Sequence, residues 1–186
     1  MPFLATDIPG LLIYEPKVFA DSRGYFFESY NADVFKKEGV AIDFVQDNQS
    51  SSSYGVIRGL HFQLNPHAQT KLVRVLSGTI LDAVVDLRQG SPTYGNHFTI
   101  ELSAENKKQL LVPRGFAHGF SVISERAEVL YKCDGFYSKA SEGGIRFDDP
   151  TLNSDWKIPA GRAIVSEKDL VLPGLKECQT NFVFEG

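Results

Sequence analysis

The chain has 186 residues, of which 42% are hydrophobic and 23% are charged. This length is typical of one domain and can bury a core without disulfides or a structural metal, so intrinsic disorder and small disulfide scaffolds are excluded. The 19 basic and 23 acidic residues give a net charge of −4, and the basic residues are scattered, which argues against a nucleic-acid partner.

Neither a membrane span nor an export signal is evident in the sequence. No apolar stretch reaches the length of a membrane-spanning helix, and residues 1–4 lack the charged-then-apolar layout of a signal peptide. We therefore expect a cytoplasmic protein with no membrane partner. Cys133 and Cys178 are far apart and form no C-x-x-C pair, so both are predicted to be free thiols.

Short apolar and β-branched runs recur along most of the chain and are separated by turn signals containing Gly and Pro, a pattern that predicts an all-β fold. The predicted strands, in chain order, are 11–19, 24–30, 44–49, 56–62, 71–76, 80–86, 97–102, 109–112, 117–123 and 127–133. The serine run at 50–53 is predicted to be a loop between two strands.

One short helix interrupts this pattern near the N-terminus. Asn31 is a favourable N-cap for a helix over 32–38, and Gly39 is placed to end it. After Asp134 the chain is rich in Gly, Pro and Asp, which predicts an irregular C-terminal cap. Many short strands that close without long helices are typical of a jelly-roll barrel, and we expect residues 1–186 to form one such domain.

Lys71 is a candidate site residue because it begins a strand whose alternation places it on one face with Val73 and Val75. Arg74 takes the opposite face. If the Lys71 face lines the barrel interior, a buried ammonium group needs a partner or a lowered pKa, which would indicate a functional site. The alternative is that Lys71 lies at the strand end and its ammonium group reaches solvent.

Tyr131 and His61 are further candidates whose role the pattern alone does not decide. Tyr131 alternates with Val129 and Cys133, so its phenol shares a face with small apolar groups, as an ordinary hydrogen-bonded core tyrosine also does. His61 lies in a predicted strand, where a lone histidine is more often structural than catalytic.

The segment P-R-G-F-A-H-G at residues 113–119 resembles the second sequence motif of the cupin superfamily, P-x-G-x-x-H. In metal-binding cupins the first motif supplies two His and one Glu, and the Glu precedes a turn glycine by seven residues. If Gly78 is that glycine, Lys71 takes the Glu position and the His pair falls on Asn65 and His67, so one of three ligands remains. A cation at a ligand position repels a divalent ion, and we therefore expect a cupin fold with no metal.

Several sequence blocks in a fixed order make the resemblance more specific. These blocks are residues 21–28, 46–50, 58–63, 69–75, 86–93, 113–120, 130–132 and 166–169. Over nearly the whole chain they resemble the dTDP-4-dehydrorhamnose 3,5-epimerase family. The resemblance implies a homodimeric cupin-type jelly roll that acts on a dTDP-4-keto-6-deoxy sugar without a cofactor.

The resemblance also implies roles for individual residues. His61 is implied to be the base, oriented by Asp169, while Tyr131 is implied to be the acid and Lys71 to face the keto oxygen of the sugar. The implied nucleotide pocket contains Arg23, Glu28, Gln46, Asn48, Arg58, His118 and Tyr137. Because the N-terminal strand of the family reaches the partner's site, the first two of these residues are expected to act across the dimer.

The chain departs from the family pattern at three places. Leu111 and Phe147 stand where family members often have Trp, and Ser138 and Lys139 follow Tyr137 where a Pro is frequent. The last two departures fall in the predicted C-terminal cap, so they bear on recognition of the sugar more than on the chemistry.

The chemistry explains why these residue types are needed. A 4-keto group acidifies the protons on C3 and C5, and inversion requires a base on one face of the ring and a proton donor on the other. A cation beside the keto oxygen stabilises the enolate. The resemblance therefore implies conversion of dTDP-4-dehydro-6-deoxy-D-glucose to dTDP-4-dehydro-L-rhamnose. The alternatives are a mono-epimerase, a keto-isomerase on a related sugar and a non-catalytic binder.

Overall fold

The computed structural model describes residues 2–185 and consists mainly of two large β-sheets. The first sheet contains, in spatial order, β1 (Phe3–Ala5), β2 (Leu12–Tyr14), β10 (Gln109–Val112), β7 (Lys71–Ser77), β12 (Arg126–Cys133) and β5 (Gln46–Ser53). The second contains β13 (Glu142–Gly144), β6 (Val56–Gln63), β11 (Phe116–Val122), β8 (Thr79–Asp86) and β9 (His97–Ser103), and β14 (Ile164–Val165) pairs with β6 in parallel. The remaining elements are a hairpin of β3 (Phe19–Asp21) and β4 (Gly24–Phe26), the helices α1 (Ala32–Lys37) and α2 (Glu167–Leu170), and a 3-10 turn (Lys139–Ser141).

The two sheets pack face to face around the main hydrophobic core. Val73 and Val75 of β7 belong to the same buried cluster as Ile80 of β8. Leu72 lies on the opposite face of β7, in a second cluster outside the barrel. Because side chains alternate along a strand, Lys71 is directed into the barrel interior with the two valines.

The outer face of each sheet is also covered. Phe35 of α1 clusters with Tyr14 and Leu111 on the first sheet. Trp156 and Phe182, from the C-terminal segment, cluster with outward side chains of β6, β8 and β11 on the second sheet. The expected all-β jelly roll with a short N-terminal helix and a C-terminal cap is therefore confirmed.

The helix and thiol predictions are also confirmed. The Asn31 side chain accepts hydrogen bonds from the backbone N–H groups of Asp33 and Val34, which satisfies the free donors of the first helical turn. Cys133 and Cys178 are both free thiols. Within residues 2–185, no helix combines the length and the apolar character that crossing a bilayer requires.

The prediction of a loop at residues 50–53 is wrong, because these serines form the second half of β5. They pair in register with Arg126–Val129 of β12, so the neighbouring strand supplies the hydrogen bonds that define them as a strand. Ser52 is buried while Ser51 and Ser53 are exposed, which is the alternation of a sheet edge. The polar side chains of β5 have no hydrophobic alternation, so the sequence gives no signal for the second half of this strand.

The two N-terminal strands are shorter than predicted. The strand expected at 11–19 is interrupted after Tyr14, close to Pro16, whose nitrogen carries no hydrogen for a strand ladder. The strand expected at 24–30 ends at Phe26, in a hairpin that pairs only with β3 within residues 2–185. The hairpin presents Phe19, Tyr25 and Phe26 to solvent, each more than half exposed.

Candidate active site

A cavity of about 490 Å³ lies inside the barrel and is bordered by residues of both sheets and of the C-terminal cap. A smaller cavity of about 200 Å³ adjoins it. His61, Lys71 and Tyr131 border both cavities, so these three side chains stand at the junction of a cleft with two arms.

His61 and Asp169 form a short hydrogen-bonded pair. His61 projects from β6, and its Nε2 lies 2.7 Å from the Oδ1 of Asp169. Asp169 lies on α2, where the Ser166 side chain accepts a hydrogen bond from its backbone N–H and caps the helix. The Asp169 side chain is only 5% exposed, whereas that of His61 is 39% exposed toward the cleft. The carboxylate therefore fixes the imidazole at Nε2, while the rest of the ring remains accessible from the cleft.

The surroundings of His61 favour its neutral form. Burial lowers the pKa of His61 below its ordinary value, and the positive charges of Lys71 and Lys168 act in the same direction. The Asp169 carboxylate opposes this effect through its hydrogen bond and its charge, but the pKa remains lowered. At neutral pH the imidazole is therefore available to accept a proton.

Two glycines allow the strand that carries His61 to approach its neighbour closely. Gly59 has a φ of +118°, and a Cβ at this position would lie 2.6 Å from the Cα of Gly119 on β11. The backbone N–H of Gly59 donates to the second carboxylate oxygen of Asp169 at 3.3 Å. The glycine at position 59 thus serves both the strand contact and the His61–Asp169 pair.

Lys71 projects from β7 toward the cleft, with its Nζ 5.9 Å from the centroid of the Tyr131 ring. Burial lowers the pKa of Lys71, while the charges of Cys133 and Asp82 oppose the shift. The sequence left open whether this ammonium group reaches solvent at a strand end; the structure directs it into the barrel, where it borders both arms of the cleft.

Tyr131 borders the cleft from the first sheet, opposite His61, which belongs to the second sheet. Burial raises the pKa of the Tyr131 phenol, and Arg58 partly offsets this shift. Within residues 2–185 its hydroxyl has no hydrogen-bond partner, and no buried side-chain polar atom in that range is left unsatisfied, so the hydroxyl is open to the cavity that Tyr131 borders. This differs from a core tyrosine whose hydroxyl is bonded to the protein.

His118 forms a second imidazole–carboxylate pair in the same barrel. It lies directly opposite His61 in the register of β11 and β6. Its Nε2 is 3.0 Å and 2.9 Å from the two carboxylate oxygens of Asp82 on β8. Both side chains are buried, and His118 borders the larger cavity.

Five of the seven predicted nucleotide-pocket residues border the cleft. Arg58 borders the larger cavity, and its Nε donates to the Ser52 hydroxyl at 3.0 Å. Gln46, Asn48 and Tyr137 border the smaller cavity. With His118, these residues surround the junction at His61, Lys71 and Tyr131.

Arg23 and Glu28 are not brought to this cleft by the chain that carries them. The Arg23 side chain is 87% exposed on the hairpin, where it pairs with Asp21. Glu28 accepts a hydrogen bond from the Asn31 side chain at 3.1 Å. Neither residue borders the cavities that contain His61.

The cleft also contains residues that the sequence analysis did not single out. Lys168 borders the larger cavity and Glu142 the smaller one, and their side chains form an ion pair at 2.7 Å. Ser50 and Ser166 border the larger cavity. Ser50, Ser166 and Lys168 lie in the matching sequence blocks, and that position is the signal that points to them. Within residues 2–185, no three His, Cys, Asp or Glu side chains are grouped as a metal site requires.

The barrel interior contains side chains that can accept and donate protons, as an isomerase with a cupin-type fold requires. Comparison with known proteins supports this class. The family model described as dTDP-4-dehydrorhamnose 3,5-epimerase matches residues 5–177. The chain belongs to the dTDP-4-dehydrorhamnose 3,5-epimerase family.

Individual relatives are similar over almost their full length. The dTDP-4-dehydrorhamnose 3,5-epimerase of Shigella flexneri is 51% identical over 91% of this chain and 93% of its own. The crystal structure of an Elizabethkingia anophelis dTDP-4-dehydrorhamnose 3,5-epimerase is 53% identical, with a TM-score of 0.90 over 94% of this chain and 96% of that chain. A Legionella pneumophila dTDP-6-deoxy-D-glucose-3,5-epimerase, solved in complex with dTDP-4-keto-L-rhamnose, is 44% identical, with a TM-score of 0.90 over 94% of this chain and 93% of that chain.

Proposed function

We propose that the protein inverts C3 and C5 of dTDP-4-dehydro-6-deoxy-D-glucose and so forms dTDP-4-dehydro-L-rhamnose. The observation that carries the proposal is the placement of His61 and Tyr131, which border one cavity from opposite sheets. Inversion of a carbon needs a base on one face of the ring and a proton donor on the other. The similarity to a relative bound to dTDP-4-keto-L-rhamnose supports the substrate class.

The first step is removal of a proton next to the keto group. The neutral His61 imidazole accepts the proton from C3 or C5, and the electron pair moves onto the C4 oxygen to give an enolate. Asp169 stabilises the imidazolium that forms, because its carboxylate is bonded to the ring at 2.7 Å. Lys71 supplies positive charge at the enolate oxygen, where stabilisation by a well-placed donor is worth on the order of a few kcal/mol.

The second step returns a proton to the opposite face of the same carbon. Tyr131 donates its hydroxyl proton as the enolate collapses to the ketone, and the configuration is inverted. Before the second carbon reacts, His61 releases the proton it gained and Tyr131 takes up a proton, both by exchange with solvent. The same two steps at the second carbon then complete the reaction. This sequence of steps uses no cofactor and no metal, which remains a prediction from the cation at position 71.

The nucleotide part of the substrate is assigned to the remaining cleft residues. Arg58 provides donors for the diphosphate and His118 borders the same cavity, while Gln46, Asn48 and Tyr137 border the arm suited to the nucleoside. This assignment accounts for the position of a guanidinium group in a cleft of a protein with net charge −4.

Arg23 and Glu28 complete the pocket of a second copy of the chain in the proposed homodimer. Support comes from the hairpin of β3 and β4, which exposes Phe19, Tyr25 and Phe26 although these side chains are large and apolar. We further propose that residues 1–186 act as a single epimerase domain in the cytoplasm. The match of the family model to residues 5–177 supports the first part of this statement.

The proposal is tested by incubating the protein with the 4-keto sugar nucleotide in heavy water and following C3 and C5 by NMR. Deuterium incorporation at both carbons with formation of the doubly inverted sugar is expected. Inversion at one carbon alone would identify a mono-epimerase, and movement of the keto group would identify a keto-isomerase. Binding without deuterium incorporation would identify a non-catalytic binder. Each of these three results would contradict the proposal.

A further inference from the structure

The interior of the barrel contains one buried carboxylate for which the proposed mechanism has no role. Asp82 lies on β8 in the middle of the second sheet and has no exposed surface. It does not border the larger or the smaller cavity. A buried ionised carboxylate is costly unless it is hydrogen-bonded, so the surroundings of Asp82 must compensate its charge.

The compensation comes from His118. Both carboxylate oxygens of Asp82 lie within 3.0 Å of the same ring nitrogen, Nε2. Nε2 therefore carries a proton and donates it to the carboxylate. In the neutral imidazole the other nitrogen, Nδ1, is then an acceptor, so the carboxylate decides which tautomer the ring adopts.

Nδ1 of His118 is free for a ligand. It has no hydrogen-bond partner among residues 2–185, and no buried polar side-chain atom in that range is left unsatisfied, so Nδ1 keeps accessible surface. His118 borders a small void beside Lys71 and also the larger cavity. This cavity also contains His61, whose backbone is directly opposite that of His118.

Asp82 also acts on Lys71. Its negative charge opposes the fall in the pKa of Lys71 that burial causes, as does Cys133. The titratable or charged groups around Lys71 come from four strands: Asp82 from β8, Cys133 and Tyr131 from β12, His61 from β6 and His118 from β11. Asp169 and Glu142 border the same two cavities as Lys71, together with Arg58 and Lys168. Of the three carboxylates, Asp82 is the one whose charge raises the pKa of Lys71.

We propose that Asp82 is a positioning residue that holds His118 with Nδ1 facing the sugar beside His61 and places a fixed negative charge near Lys71. The inference rests on the proposed epimerase function. Asp82 does not touch the substrate; it acts through the two residues that do. In this arrangement Nδ1 accepts a hydrogen bond from a sugar hydroxyl, and the ring cannot rotate to the other tautomer without breaking its bond to the carboxylate.

The variant Asp82→Asn keeps the shape of the side chain and removes its charge. We expect kcat on the 4-keto sugar nucleotide to fall on the order of 10- to 100-fold, as for the loss of a hydrogen bond to a charged group, while the dissociation constant for dTDP stays within a few-fold of the parent. The alkaline limb of the kcat profile should move to lower pH, because Lys71 loses a neighbouring negative charge and deprotonates more easily.

Asp149→Asn is the matched control. Asp149 is also a buried carboxylate, but it accepts hydrogen bonds from backbone N–H groups in the C-terminal cap and borders neither cavity. This change is expected to lower stability and leave the alkaline limb in place. A parent-like kcat and pH profile for Asp82→Asn, or a loss confined to dTDP affinity, would overturn the inference, provided that the parent protein is active.

A second measurement does not depend on turnover. The chain has 4 histidines, so the ring nitrogens of the ¹⁵N-histidine-labelled parent can be resolved by NMR. Two rings, His61 and His118, should be Nε2–H tautomers with strongly hydrogen-bonded protons, because each Nε2 lies against a carboxylate. The His118 signals are identified as the pair that remains in His61→Asn, and the His118 Nδ1 signal should shift when the sugar nucleotide binds but not when dTDP binds. The inference would be overturned by an Nδ1–H tautomer at His118, or by a His118 Nδ1 chemical shift that does not change when the sugar nucleotide binds. A parent protein that produces no deuterium exchange would instead contradict the proposed function.

Discussion

The His61 imidazole is kept neutral by burial and by two nearby ammonium groups, against the influence of Asp169. A base of this kind accepts protons throughout the neutral range and loses activity only when acid protonates it. The acid limb of kcat/KM should therefore lie below the ordinary pKa of histidine, because the folded protein lowers that pKa.

Replacement of Asp169 by Asn removes the charge that raises the pKa of His61. The acid limb should move to still lower pH, and the maximal rate should fall on the order of 10²- to 10⁴-fold because the imidazolium loses its partner. Lys168→Met is the counterpart, since loss of a positive charge should move the limb to higher pH. The measurement is kcat/KM against pH for both variants. An acid limb that stays in place in Asp169→Asn would show that Asp169 does not influence the pKa of His61.

Lys71→Met keeps most of the volume of the side chain and removes its charge. We expect kcat to fall on the order of 10²- to 10³-fold, since the charge matters most when the enolate forms, while dTDP affinity stays close to that of the parent. The free energy of unfolding should stay equal or rise, because a buried ammonium group is replaced by an apolar one. Steady-state kinetics, dTDP titration and denaturant unfolding check these statements. A large rise in the dTDP dissociation constant with kcat intact would show instead that Lys71 contacts the diphosphate.

At the scale of elements, the sequence predicts strands whose polar and apolar side chains alternate clearly. It does not predict strands that depend mainly on hydrogen bonds to a neighbouring strand. The alternation of β7 correctly placed Lys71 and Leu72 on opposite faces, and each face contacts a different hydrophobic cluster. Which face is interior was left open by the sequence. The serines of β5 have no such pattern and depend on pairing with β12. The two residues of β14 and the four of α2 are too short for any periodicity, although α2 carries Asp169. The resemblance to a family supplied Asp169; its local pattern did not.

The close contact between β6 and β11 predicts how a substitution at Gly59 changes stability. Gly59→Ala should destabilise the protein by about 2 kcal/mol or more, because the new Cβ meets the β11 backbone at 2.6 Å and 2.8 Å and φ is +118°. Gly39→Ala also places alanine at positive φ, but nothing lies within 4 Å, so its cost should be about 1 kcal/mol. Denaturant unfolding compares the two variants. Equal losses of stability would mean that the contact between the strands is not tight.

At the scale of the whole molecule, the proposed dimer makes two incomplete variants complementary. Arg23→Ala lacks the residue donated to the partner, and His61→Asn lacks the base. If Arg23 acts across the interface, each mixed dimer contains one intact site, and random exchange of equal amounts should restore roughly a quarter of the parent activity. Activity is measured at low substrate after exchange of subunits. Activity that never exceeds the average of the two separate variants would place Arg23 outside the partner's site.

The central claim is that Tyr131 donates the proton opposite His61, and Tyr131→Phe tests it most directly because this change deletes only the hydroxyl. His61 can still remove and return a proton from its own face, so deuterium should continue to enter the substrate from heavy water. Formation of the doubly inverted sugar should slow by roughly 10²- to 10⁴-fold, the range expected for loss of a general acid. The two rates are followed by NMR at C3 and at C5 separately, with thermal unfolding as the control for folding. A folded variant that forms the doubly inverted sugar at the parent rate would contradict the mechanism.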